Sequence, residues 1–490
     1  MVMKKICIIF VLLILSMTSI LAADCGDVNS SGQVDVIDAL MTAQYYVGLT
    51  PSGFNSGVAD VNGDKVINII DALQIAQYYV GLINQLTGCV TVTASPTPSP
   101  TPTTVTGGVE DSGLDLQVGS PSGSNGGSSS VLPDPFTKWD GTQVKTMADW
   151  RYRRRELVVE IEKRMLGQKA PPPAKIGGTV TGSVSRTSYT VNVSNPGGSC
   201  SFSNTISVPS TGTAPYPAVI VIGGFNSLNA DVLSSEGVAT MNYDAYALAA
   251  ETSGNFSSGK YFDANPDYKG KTGGLVAWAW GVSRIIDMLE KNPGVIDPTK
   301  IAIHGCSRFG KAAFVIGAFD ERIALGLPTE PGTGGPAPLR SLSSVASGGQ
   351  PLSSCIGEAN WFGPSAGSYS SSMAVDMDDV ASMYAPRGLL LMDNPSIAWL
   401  SYQANYLGCA AAAEVYKAMG KSDALWYLGN TSNGNHCSVR SEYGSALRAM
   451  IQKFLKRSAS PTTGGLDKSS SFNVNVASWT SSWKKGTISQ

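Results

Sequence analysis

The apolar positions of this chain change character four times between its ends. Residues 6–15 are an unbroken apolar run behind Lys4 and Lys5, followed by the small residues Ala22 and Ala23. That layout is a secretory signal, and the run is too short to cross a bilayer. Residues 1–23 are therefore expected to be removed on export. Residues 24–90 hold two apolar stretches of helical period. Residues 91–131 have no period: a Pro/Thr run gives way to Gly/Ser, the composition of a linker that cannot bury a core. From 132 to 457 short apolar runs at 218–222, 323–327, 388–392 and 424–428, and a fifth at 300–304, are separated by helical patterns such as 275–290. Buried apolar strands alternating with helical patterns predict one large α/β domain. Residues 458–490 read as a Ser/Thr-rich tail, in which Trp479 and Trp483 have no evident role.

The two stretches in 24–90 are one motif written twice, 33 positions apart. Oxygen-bearing side chains stand at positions 1, 3, 5, 9 and 12 of each copy. They are Asp27, Asn29, Ser31, Asp35 and Asp38 in the first, and Asp60, Asn62, Asp64, Asn68 and Asp71 in the second. With the backbone of Gln33 and Val66 at position 7, this is the spacing of a loop wrapping one calcium ion. Each loop runs into a helix that ends in the same seven residues, 43–49 and 76–82. The duplicated motif resembles a dockerin. That resemblance implies a small all-α calcium-binding module whose partner is a cohesin module of a scaffold protein. Cys25 and Cys89 bracket it, and a bridge between them would tie its ends together.

Composition narrows the chemistry. The 490 residues carry 35 basic and 37 acidic side chains, a net charge of −2, so a nucleic-acid binder that neutralises phosphates is disfavoured. There are only two histidines, which leaves two candidates for any proton shuttle near neutral pH. Once Cys7 leaves with the signal, seven cysteines remain. That number is odd, so at least one is unpaired within the chain.

The run at 300–304 ends in His304 and is followed by Gly305, Cys306, Ser307, Arg308, Phe309 and Gly310 before another helical pattern. Strand, Gly-x-Ser-x-x-Gly, helix resembles a nucleophile elbow, with the second glycine one residue late. Ser307 then stands at a helix N-terminus, where backbone N–H groups can hold an oxyanion. His304 is expected to pack in or under the sheet. His436 lies in a polar loop after the 424–428 strand, where an α/β-hydrolase carries its base. The acid is Glu330, after the 323–327 strand, or Asp393, at the end of 388–392.

From about 132 to 455 the chain resembles the glucuronoyl esterases, carbohydrate esterase family 15. The residues that carry this are the elbow 305–311, the Glu330 loop, residues 277–284 and Asn435, His436 and Cys437. The family implies an α/β-hydrolase three-layer sandwich with Ser307 as nucleophile, His436 as base and Glu330 as acid, Asp393 remaining the alternate. It implies Arg308 at the oxyanion, Lys311, Gln350, Glu358 and Trp399 around the uronate sugar, and no cofactor for catalysis. The substrate implied is the ester between 4-O-methyl-glucuronic acid of xylan and lignin alcohols. The family also has a bridge between Cys306 and Cys437. Cys355 and Cys409 are then expected to pair, leaving Cys200 alone. Phe309 stands where the family often has a polar residue. The rival readings are a broader acetyl or feruloyl esterase and an inactive hydrolase-fold binding module.

Overall fold

The computed structural model describes residues 25–490 apart from 64–65, 84, 87, 89–108, 184–185, 225, 347, 433–434 and 459–462. The expected signal segment, Asp64 and Cys89 fall outside the described residues, so neither the signal nor the Cys25–Cys89 pairing is seen. No helix of the described residues is long and apolar enough to cross a membrane. The chain divides into two units, Met1–Thr101 and Pro102–Gln490.

In the smaller unit the repeat becomes two equal helices, α1 (Val36–Tyr46) and α2 (Ile69–Tyr79). Each starts with a capping box made from its own loop: Asp35 with Asp38, and Asn68 with Asp71. Residues that could hold a cation thus also satisfy the first amides of the helix. Val28, Ala59, Val61 and Ile75 are fully buried between the two copies.

In the larger unit the apolar runs become the centre of a ten-stranded sheet. Its strands are β1 (Lys175–Ser183), β2 (Arg186–Asn195), β3 (Gly198–Ser207), β4 (Tyr216–Ile222), β5 (Ala239–Tyr243), β6 (Ile296–Cys306), β7 (Ile323–Thr329), β8 (Gly388–Met392), β9 (Leu425–Gly429) and β10 (Gly465–Lys468). The order is β1-β2-β3-β5-β4-β6-β7-β8-β9-β10, antiparallel from β1 to β5 and parallel from β5 to β10. Period-two alternation divides β4 between two cores. Ala218, Ile220 and Ile222 face the core under the helices Gly274–Lys291, Arg308–Phe319 and Tyr402–Ala418, while Val219 and Val221 face the one under Gly444–Phe454. Helices on both faces of the sheet give the three-layer α/β-hydrolase architecture.

Two boundaries differ from the sequence expectation. Residues 109–117 are not free linker. Glu110 pairs with Lys169 and the buried Arg284, and Asp111 with Arg154 and Arg155 of α3 (Met147–Ile161). Ordering here comes from charge pairing, which composition does not reveal. Nor is 458–490 a loose tail: β10 extends the sheet beside β9, and Trp479 and Trp483 are buried. Trp483 packs edge-on against Phe136 at 5.9 Å and donates its indole N–H to Leu132 O, while Trp479 O accepts from Leu132 N–H.

Candidate active site and cation loops

The C-terminal ends of β6, β7 and β8 and the loop beyond β9 converge on one place. At the end of β6 the chain turns sharply: Ser307 has φ 59° and ψ −124°, outside the regions an L-residue prefers. The turn is possible because its neighbours have no side chain. A Cβ on Gly305 would lie 2.2 Å from Phe309 O, and one on Gly310 would lie 2.4 Å from Thr329 O. Ser307 caps the helix Arg308–Phe319, so its hydroxyl stands where the first helical amides point outward.

β7 delivers Glu330, fully buried and with φ 46°. Its Oε2 accepts from His436 Nδ1 at 2.5 Å and from the Cys437 backbone N–H at 2.9 Å. Its Oε1 accepts from Asn394 Nδ2 at 3.2 Å and Arg440 Nη2 at 3.3 Å. A carboxylate bound on both oxygens holds the imidazole with Nδ1 as donor, leaving Nε2 free to act as a base. Cys437 is bonded to Cys306, the residue before Ser307, across 131 positions of sequence and with the two Cα atoms 5.8 Å apart. The bond draws the His436 loop onto the elbow, and His436 Nε2 lies 3.7 Å from Cys437 Sγ. Cys306, Glu330, His436 and Cys437 lie close enough together to suggest a metal cluster. With both sulfurs in the disulfide, neither cysteine has a thiolate to offer.

Asp393 is not brought to His436. Its Oδ2 accepts from Asn405 Nδ2 at 3.0 Å and Tyr427 OH at 3.2 Å, and its Oδ1 accepts from the Asn394 backbone N–H. Burial pushes its carboxyl up to about 7. His304 is structural as expected: fully buried, it donates from Nδ1 to Leu327 O at 2.8 Å and accepts at Nε2 from Ser227. Burial lowers its imidazole to about 4.

The expected sugar-pocket residues gather beside the elbow. Lys311 is buried, donates to Pro331 O at 2.6 Å, and has its ammonium acidity increased by burial. Gln350 Nε2 donates to Glu358 Oε2 at 2.9 Å, and its backbone N–H donates to Trp399 O. Trp399 itself is half exposed. Arg308 is held by Glu251 at 3.0 Å and lies 3.6 Å from Glu358, over the face of Trp361. Trp361 in turn donates its indole N–H to Glu251 at 2.6 Å.

Glu251, Trp361, Asn394 and Arg440 belong to this constellation and were not legible as site residues. Glu251 stands in no motif. Arg440 is only four residues past His436, but nothing in that spacing says that it turns back to Glu330. One expected pairing is overturned. Cys355 and Cys409 are both free and buried: Cys355 Sγ is turned to Thr333 O at 3.5 Å, and Cys409 sits inside the helix Tyr402–Ala418 near Asp393. Each thiol is accommodated in its own part of the core, and Cys200 is free as well.

In the smaller unit both loops have positive φ at position 4, at Ser30 and Gly63. Asp38 and Asp71 at position 12 are fully buried and accept backbone N–H bonds on both oxygens. Burial raises the Asp38 carboxyl, and Asp27 and Asp35 add to the rise. A buried carboxylate beside two others, in an all-oxygen donor set, fits a hard divalent cation.

Residues 191–420 match the family model for fungal glucuronyl esterases, and residues 25–79 match the type I dockerin domain. The chain is 39% identical over 371 residues to a 4-O-methyl-glucuronoyl methylesterase of Hypocrea jecorina, covering 74% of this chain and 77% of that protein. The structure superposes on the glucuronoyl esterase catalytic domain from the same organism with a TM-score of 0.67 at 35% identity, covering 77% of this chain and 99% of the other. It superposes on a glucuronoyl esterase of Sporotrichum thermophile, solved in complex with methyl 4-O-methyl-β-D-glucopyranuronate, with a TM-score of 0.66 at 33% identity, covering 74% of this chain and 97% of the other.

Proposed function

The chain belongs to the glucuronoyl esterases and is a carboxylic ester hydrolase, and from this we propose that it cleaves esters of xylan-borne 4-O-methyl-glucuronic acid with lignin alcohols, using Ser307 as nucleophile. The observation that carries the reading is the Glu330–His436 pair, drawn onto the elbow by the Cys306–Cys437 bond. His436 takes the Ser307 proton at Nε2 as Oγ attacks the uronoyl carbonyl. The helix amides at 308–309 and the Arg308 guanidinium stabilise the oxyanion. His436 then protonates the departing alcohol oxygen, and a water activated by the same imidazole releases the uronate and restores Ser307.

Lys311, Gln350, Glu358 and Trp399 hold the sugar. Lys311 offers the ammonium donors that it does not give to Pro331 O, Gln350 and Glu358 bind hydroxyls, and the exposed Trp399 ring offers a stacking face. The Arg308 link to Glu358 joins the sugar side of the pocket to the oxyanion side. The test compares benzyl glucuronate with an aryl acetate, for the wild type and for Ser307→Ala. A strong preference for the uronate ester, abolished in the variant, is expected. Equal rates on the two esters would favour the broader esterase, and activity surviving in Ser307→Ala would remove the proposed site.

The dockerin unit directs the enzyme to a scaffold. Type I dockerins bind calcium, and the reading here is that Asp27, Asn29, Ser31, Gln33, Asp35 and Asp38 hold one ion and the matching residues from Asp60 to Asp71 a second. The cohesin partner would meet the exposed apolar side chains Val36, Ile37 and Leu40 of α1, or Ile69, Ile70 and Leu73 of α2. Such an enzyme works outside the cell, in keeping with the export signal expected at residues 1–23.

A further inference from the structure

Arg440 is almost fully buried, and its guanidinium reaches the chain beyond β7, β8 and β9. Nη2 donates to Glu330 Oε1 after β7 at 3.3 Å. Nη1 donates to Asp393 O after β8 at 3.1 Å, to Thr431 O after β9 at 2.8 Å, and to Tyr443 OH at 3.2 Å. Its Nε finds no acceptor among the described residues, so the fork does not maximise its own bonds; it is turned toward Glu330. The other partners of Glu330 are the His436 imidazole and the neutral Asn394 amide and Cys437 N–H, which makes Arg440 its one permanent cation among the described residues. The titratable groups around the pair are His436 and Asp393, with Tyr443 under the guanidinium at 5.2 Å and Tyr427 bonded to Asp393.

We infer that Arg440 is a positioning residue for the proposed reaction: its guanidinium holds the Glu330 carboxylate in place, and through it the His436 imidazole. The inference rests on Glu330 serving as the acid of the triad. A charge-assisted hydrogen bond holds a carboxylate more firmly than a neutral donor does, and a fork bonded to three loop carbonyl and hydroxyl groups cannot swing away with it. Arg440 meets the side chain of Glu330 but only the backbone of Asp393, whose carboxyl is left among neutral partners.

The experiment measures kcat and KM for benzyl glucuronate, and the melting temperature, with full-length wild type, Arg440→Met, Arg440→Gln, Arg440→Lys and Glu330→Gln. Without the fork the Glu330–His436 pair loses an anchor, so kcat in the Met and Gln variants should fall by up to about a hundredfold with KM little changed. Lys should recover part of the rate, because it keeps the charge and loses the fork. Gln retains hydrogen bonding to the loop carbonyls and serves if Met does not fold. A lowered melting temperature with kcat unchanged in the folded variants, or no recovery by Lys, would overturn the inference, since a purely structural role costs stability and not turnover. Full activity in Glu330→Gln would instead overturn the triad reading beneath it.

Discussion

His436 and Glu330 stand 106 positions apart in sequence and 2.5 Å apart in space, Nδ1 to Oε2, while Asp393 keeps its carboxyl on Asn405 and Tyr427. Glu330→Gln presents an amide to the imidazole and favours the wrong tautomer, so kcat should fall by about a thousandfold or more. Asp393→Asn keeps a similar shape among neutral partners and should retain most of the activity. Rates of the two variants on benzyl glucuronate decide between the acids, and the opposite order would reassign the role to Asp393.

The Cys306–Cys437 bond closes a long loop, and removing both sulfurs as Cys306→Ser with Cys437→Ser should cost about 2–4 kcal/mol of stability. The larger effect is expected in kcat, because the His436 loop loses its tether to Ser307, the proposed nucleophile. Denaturant unfolding and turnover measured on the same sample separate the two. A variant as fast as wild type would show that the bond serves stability alone.

Glu251 holds the Arg308 guanidinium and the Trp361 indole at once. Glu251→Gln leaves Trp361 an acceptor but removes the charge that holds Arg308. A fall of about tenfold in kcat/KM is expected, carried by kcat rather than by thermal stability.

His304 supplies a pH signature. An exposed imidazole titrates near 6.5, and burial lowers this one to about 4. The folded form therefore binds its proton more weakly than the unfolded chain. The stability it supports is complete above pH 6.5 and is lost as the pH falls toward 4, by about 3 kcal/mol in all. Replacement by Gln should flatten the fall in melting temperature across that window. An unchanged slope would show that other groups carry the acid sensitivity.

Chelation of calcium should abolish binding to cohesin and leave hydrolysis of benzyl glucuronate intact, since the loops and the elbow belong to separate units. Ile37→Asp combined with Ile70→Asp should weaken cohesin binding without affecting calcium uptake. Loss of esterase activity on chelation would contradict the division of labour between the units.

Much of this was legible in the sequence, for physical reasons that differ from element to element. The parallel strands are buried on both faces, so 388–392 coincides with β8 and 323–327 forms most of β7. The hairpin β2–β3 and its neighbour β1 are rich in Ser, Thr, Asn and Gly and were not distinguished from loop, because their pairing is decided by contacts across the sheet. Ser307 and His436 follow from an elbow and from the scarcity of histidine. The choice of Glu330 over Asp393 does not, since both end adjacent strands and only the side-chain partners separate them. Glu110 resembles its linker until Lys169 and Arg284 stand beside it, Asp111 until α3 supplies arginines, and Trp479 and Trp483 lack meaning until Leu132 and Phe136 are beside them.

The positive-φ positions have a consequence for anyone who wants a hardier enzyme. Ser307, Glu330 and Cys437 are all non-glycine residues held at φ between 46° and 61°, and together they surround the reacting centre. Each such conformation stores on the order of 1–3 kcal/mol. A selection for heat resistance alone would therefore reward glycine at Ser307, raising the melting temperature by removing the proposed nucleophile, whereas glycine at Cys437 or Glu330 would also break the disulfide or leave the buried Arg440 unpaired. Selections on this protein should score turnover alongside survival, and gains in durability should be sought elsewhere, at the sheet edges and along the surface loops.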